Sequence, residues 1–221
     1  MTGRIALQTA VATVPYVAWM ALMALLPAGA KTYALRSAAT LSVLAVLLAA
    51  ELRRRKKFPV LTARGAAVGI LAGLAVFALW VLPENFEFYR KFLIIGGTAG
   101  GGDAPFDPAK CGWPLTLARL AGSAFVIAPA EELFFRHFLY RRLQNKDWTA
   151  VDRRKFDMQA FLWCTALFAL EHDRIAAGAA AGAVYALVYI RKGVFSAVLA
   201  HTVTNFILGV YVIKTAKWAF W

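Results

Sequence analysis

IAPAEELFFRHF, residues 127–138, sets two adjacent glutamates, an arginine and a histidine inside a run that is otherwise apolar. The apolar run extends from 115 to 139, about as long as the roughly 20 residues a helix needs to cross the hydrocarbon of a bilayer. The segment therefore reads as a membrane span. Whether the rest of the fold follows depends on its neighbours.

Runs of the same kind recur at approximately 5–26, 34–50, 64–82, 157–172, 175–190 and 194–213. With 61% hydrophobic residues against 17% charged, the chain is far from the composition of a soluble domain. The expected fold is all-α, a polytopic membrane bundle of about seven to eight transmembrane helices. Residues 1–221 form a single membrane domain in this reading. The first run is longer than a signal-peptide core and lacks a good cleavage pattern after it, so it reads as a retained span.

The net charge of +13 does not indicate nucleic acid, because the basic residues cluster in short junctions such as ELRRRKK (51–57) that abut apolar runs. Attraction to anionic lipid explains them better. Arg53, Arg54, Arg55, Lys56, Lys57 and Arg64 fall in one short connection, and Arg141, Arg142, Lys146, Arg153, Arg154 and Lys155 in another. Both are expected to be cytoplasmic, with the amino terminus inside. Lys31 and Arg36 then fall on the wrong side. ENFEFYRKFLIIGG (84–97) mixes charges and aromatics and suits an interfacial helix. The Gly- and Pro-rich loop that follows it reads as aqueous and irregular. Trp113, Trp148, Trp218 and Trp221 are expected to form interfacial belts, and Cys111 and Cys164 make no spaced pair for metal or disulfide chemistry.

Glu131 and Glu132 lie well inside the fourth span, where an ionised carboxylate is costly unless partnered. Pro129 removes a backbone donor just before them and should free a carbonyl near Phe125. Adjacent helical residues point about 100° apart, so the two glutamates are not expected to face one partner. Glu132 and Arg136, at i and i+4, stack on one face. The expected division is Glu132 paired and Glu131 free.

Two further polar sites occur on other spans. In FALEH (168–172) His172 ends the fifth span, with Phe168 one turn back, and in HTVTN (201–205) His201 and Asn205 are again i and i+4. Each alone would serve equally well as glue between helices. Together, a carboxylate, two imidazoles and a carboxamide can activate water and stabilise the oxyanion formed on a carbonyl. On this reading Glu131 is general base, His172 holds the water, and His201 with Asn205 donates to the oxyanion. One difficulty is depth, since His172 lies far along its span from Lys155. A short, tilted fifth helix starting in the cytosol would remove it.

The three pieces EELFFR (E-E-x-x-x-R), FALEH (F-x-x-x-H) and HTVTN (H-x-x-x-N), in this order, resemble the CAAX protease and bacteriocin-processing family. The resemblance covers about residues 115–213 and implies a membrane-embedded glutamate endopeptidase. It implies the same catalytic set, Glu131, His172, His201 and Asn205, with Glu132, Arg136 and Phe168 in support. It also implies a bacterial or archaeal cell membrane as the location and a membrane-anchored protein or peptide, cut near its carboxyl terminus, as substrate. No cofactor is expected.

The alternatives are specific. Glu131, His172 and His201 could together hold zinc, although neither H-E-x-x-H nor H-x-x-E-H occurs. Gly100 to Asp103 fits the G-x-G-D pattern of aspartyl proteases, but without a partner aspartate in a span; Ser123 lacks the setting of a serine nucleophile, and His137 reads as a boundary residue. A non-catalytic immunity or scaffold protein would keep the cluster for packing. A proton-relay transporter should show interrupted spans in an inverted repeat, and none is evident.

Overall fold

The computed structural model describes residues 2–54, 60–92 and 104–221, and the regular structure in them is helical. Seven long elements carry the fold: α1 (Thr2–Leu25), α2 (Ala30–Arg54), α3 (Ala63–Val81), α4 (a continuous helical rod over 113–144), α5 (Met158–Leu170), α6 (Ile175–Lys192) and α7 (Val194–Thr215). They correspond one to one to the seven apolar runs. By length and composition α1, α2, α3, α6 and α7 suffice to cross a membrane. Large apolar side chains such as Val46, Leu71, Trp163 and Leu170 are exposed on the outside of the bundle, as lipid-facing positions require. The protein is an integral membrane helical bundle.

Local chemistry sets the helix ends. The Thr62 hydroxyl accepts from the Gly65 amide at 3.0 Å to start α3, and Asp157 accepts from Ala160 at 2.8 Å to start α5. Between α6 and α7 the chain reverses at Gly193, whose φ of 96° is one that a side chain would strain. Gly65, Gly69 and Gly73, four residues apart on α3, face α7 so closely that a Cβ on Gly73 would lie 2.5 Å from the Ala200 carbonyl oxygen. The Gly73 carbonyl in turn accepts from Thr204 at 3.0 Å.

α4 is not a regular helix. It follows π geometry at Ser123–Ile127 and again at Glu132–Leu139, with a short α segment, Ala128–Glu131, between. Insertions of this type accompany functional sites in helices. The register change also moves the carbonyl that Pro129 leaves unbonded. In the i→i+5 pattern it is Ala124 rather than Phe125, and the Thr202 hydroxyl of α7 donates to it at 2.8 Å. The Ser123 carbonyl accepts from Asn205 at 3.0 Å. α7 is thus stitched to the irregular part of α4 by two side-chain donors.

Several expectations change. The interfacial segment forms only a helical turn at Leu82–Asn85 and a short helix at Glu87–Phe92, and its remainder, like Gly100 to Asp103, lies outside the described residues. The end of the loop is not irregular: Asp107 caps a helical turn at Pro108–Cys111, and Phe106 is buried against Tyr33 and Trp221. Trp148 is buried too, its indole N–H donating to Thr9, which removes it from any interfacial belt. Arg36 is buried at 8% exposure over the Trp19 ring, so its place in the sequence carries no topological information.

Candidate active site

A cavity of about 180 Å³ opens between α3, α4, α5, α6 and α7. Glu131, His172, His201 and Asn205 all line it, so the structure brings the four candidate residues together. The short α5 explains how. With 13 residues it ends at Leu170, and His172 follows in the turn before α6. A longer helix would have carried the imidazole past the level of Glu131.

The two glutamates have different surroundings. Glu132 is sealed at 0% exposure, with its Oε1 2.9 Å from the Arg136 guanidinium. Arg136 also donates to the Gly182 carbonyl at 3.3 Å and lies 4.1 Å over the centre of the Phe168 ring. Carboxylate and guanidinium are buried without access to the cavity, which the Phe168 ring lines. Glu131 keeps 12% of its side-chain surface and reaches the cavity.

Contrary to the angular argument from an ideal helix, both glutamates address one side chain. His201 places Nδ1 3.0 Å from Glu132 Oε1 and Nε2 3.6 Å from Glu131 Oε2. The imidazole has donor positions on opposite edges, so one ring spans two carboxylates that diverge from the backbone. Since Glu132 accepts, the His201 Nδ1 carries a proton, and Nε2 is the nitrogen turned toward the cavity residue. The ring is stacked on Tyr185, with centroids 4.6 Å apart and planes at 22°. The Tyr185 hydroxyl donates to Thr204 at 2.8 Å, which anchors the stack.

His172 is fixed in another way. Its Nδ1 lies 2.7 Å from the Phe168 carbonyl oxygen. A carbonyl only accepts, so Nδ1 carries the hydrogen and Nε2 of the neutral ring is left as an acceptor. Trp80 and Phe168 pack on the ring at centroid distances of 5.3 and 4.7 Å. Asn205 spends one Nδ2 hydrogen on Ser123 and retains the other.

His137 lies apart from the cavity, against Trp148 and Tyr189. Among the described residues no three His, Cys, Asp or Glu side chains form a group that could hold a metal ion. Sequence reasoning missed Tyr185, Thr202, Thr204 and Trp80. Only the threonines carried a signal, as polar members of HTVTN; Tyr185 and Trp80 look like any aromatic in an apolar helix.

Comparison with curated proteins finds no match, and neither does comparison with solved structures. Residues 113–207 match the family described as type II CAAX prenyl endopeptidase Rce1-like. That interval spans α4 to most of α7 and contains every candidate residue of the cavity. Over residues 113–207 the chain is similar to the Rce1-like type II CAAX prenyl endopeptidases, and its long apolar helices make it an integral membrane protein.

Proposed function

We propose that the cavity hydrolyses a peptide bond inside the membrane, with Glu131 as general base and no metal. The observation that carries this is the separation of the glutamates: Glu132 is held by Arg136 and His201, while Glu131 alone reaches the cavity. Water between Glu131 and His172 gives one proton to the carboxylate while its oxygen attacks the carbonyl carbon. His172 Nε2 accepts the water's other hydrogen and so orients it. His201, which in this scheme carries a hydrogen on Nε2 as well as on Nδ1, and Asn205, through its remaining Nδ2 hydrogen, donate to the oxyanion and stabilise it. Glu131 then returns the proton to the departing amine.

Glu132, Arg136 and Phe168 are positioning residues in this scheme. They hold the His201 ring and the π segment of α4. The substrate is a membrane-anchored or lipidated protein or peptide, cut near its carboxyl terminus, with surrounding lipid as the other partner. The basic connections 53–64 and 141–155 orient the amino terminus toward the cytoplasm.

The test is cleavage of farnesylated and unmodified tail peptides by purified protein in detergent, comparing wild type, Glu131→Gln and His172→Ala, with and without a zinc chelator. Thermal unfolding of each variant checks its fold. Loss of cleavage in both folded variants with no effect of chelator is the expected result. Loss with chelator would point to zinc, and unchanged cleavage by Glu131→Gln would leave the polar cluster a packing device.

A further inference from the structure

The same cavity has a second polar end. Arg119, three turns before Glu131 on α4, lines it, and its guanidinium is enclosed by aromatic faces: Tyr33 at 4.4 Å, Phe106 at 5.1 Å and Trp221 at 5.7 Å. Arg36 approaches the same Tyr33 ring at 5.6 Å. Among the described residues no carboxylate lies within ion-pair distance of either guanidinium. The Nε atoms of both are buried without a hydrogen-bond partner. Two cations sharing one aromatic ring, with buried Nε atoms unpartnered and no acid matched to them, make a built site for an anion. Ring faces offset part of the charge but supply no acceptor for the N–H groups.

We propose that Arg119, with Arg36 behind it, holds the terminal carboxylate of the substrate chain, and that this contact fixes where Glu131 cuts. The proposal rests on the protease reading of the cavity and adds to it the group that is recognised. Arg119 and Glu131 are separated by 12 residues of helix, about 18 Å of axial rise. An extended peptide covers about 3.4 Å per residue. Allowing for the attacking water at one end and the ion pair at the other, the carboxylate lies roughly three to five residues beyond the bond attacked. Arg119 belongs to none of the three sequence motifs. It is a specificity residue, and a planar guanidinium is the side chain best suited to a carboxylate.

The experiment compares one tail peptide as free acid and as carboxamide. In wild type the amide should show kcat/KM lower on the order of 10- to 100-fold, mostly through KM. Arg119→Gln should cut acid and amide alike, and Arg119→Lys should recover part of the preference. Binding of the two peptides to Glu131→Gln, and to Glu131→Gln carrying Arg119→Gln, is read by fluorescence anisotropy, which needs no turnover. This binding arm decides the matter even if nothing is cleaved. Tighter binding of acid than amide, lost with Arg119→Gln, supports the proposal independently of the chemistry at Glu131. Equal binding of acid and amide overturns it. So does displacement of both peptides by phosphatidylglycerol in an Arg119-dependent manner, which would assign the site to a lipid phosphate.

Discussion

Removing both members of the Glu132 and Arg136 pair should destabilise the protein no more than removing either one. At 2.9 Å and an effective dielectric constant near 20, their attraction is roughly 6 kcal/mol, and desolvation of two charges offsets most of it. Glu132→Ala leaves a guanidinium at 1% exposure with only the Gly182 carbonyl and ring faces around it. Arg136→Met leaves a carboxylate at 0% exposure with only His201 as donor. Each single change should cost about 3–5 kcal/mol, while the double variant should cost no more than either, for a coupling on the order of 3 kcal/mol. The assay is reversible unfolding in mixed micelles of increasing SDS content, followed by tryptophan fluorescence. Additive losses, with a double variant at the sum of the singles, would refute the claim that the pair is a closed unit. The double variant should also be a poor catalyst despite its stability, because His201 has lost the acceptor that fixes Nδ1.

Three further outcomes are expected. Thr202→Val uncaps the Ala124 carbonyl and should cost about 1–3 kcal/mol in the same unfolding assay, whereas Thr202→Ser should cost much less. Gly73→Ala pushes α3 away from the Ala200 carbonyl and should destabilise by about 1–3 kcal/mol; a neutral result would mean the two helices are not in backbone contact. Tyr185→Phe keeps the stack on His201 and should retain most of the kcat, while Tyr185→Leu should lower kcat with little change in KM. Equal activity of the two Tyr185 variants would show that ring stacking does not position His201.

The seven helices were legible because lipid favours long apolar runs, and the sequence carries a run at each of them, with α5 the shortest. The pairing of Glu132 with Arg136 was legible from their i, i+4 relation alone. What could not be read was anything that depends on helical register. The angular argument separating the two glutamates assumed that one partner touches one point, and the His201 ring touches two. The carbonyl freed by Pro129 was misplaced by one residue because an apolar segment gives no sign of π geometry. Thr202 and Asn205 are the trace of that geometry, but they become informative only when the carbonyls they serve are known. Arg36 looked like a misplaced topology signal and Arg119 drew no reading at all, since linear sequence does not show that both approach Tyr33.

The brevity of α5 acts on the lipid as well as on His172. Its 13 residues span about 20 Å, against roughly 30 Å of hydrocarbon. A helix this short on the flank of the bundle cannot match an undisturbed bilayer, and Leu162, Trp163 and Leu170 on its exposed side keep it in contact with lipid. Thinning of the bilayer beside such a helix accommodates it at a cost of fractions of a kcal/mol per Å of mismatch. Shorter acyl chains relieve that strain and longer ones increase it. On the proposed function, turnover in vesicles should therefore fall as acyl chains lengthen, with no change in the residues that line the cavity.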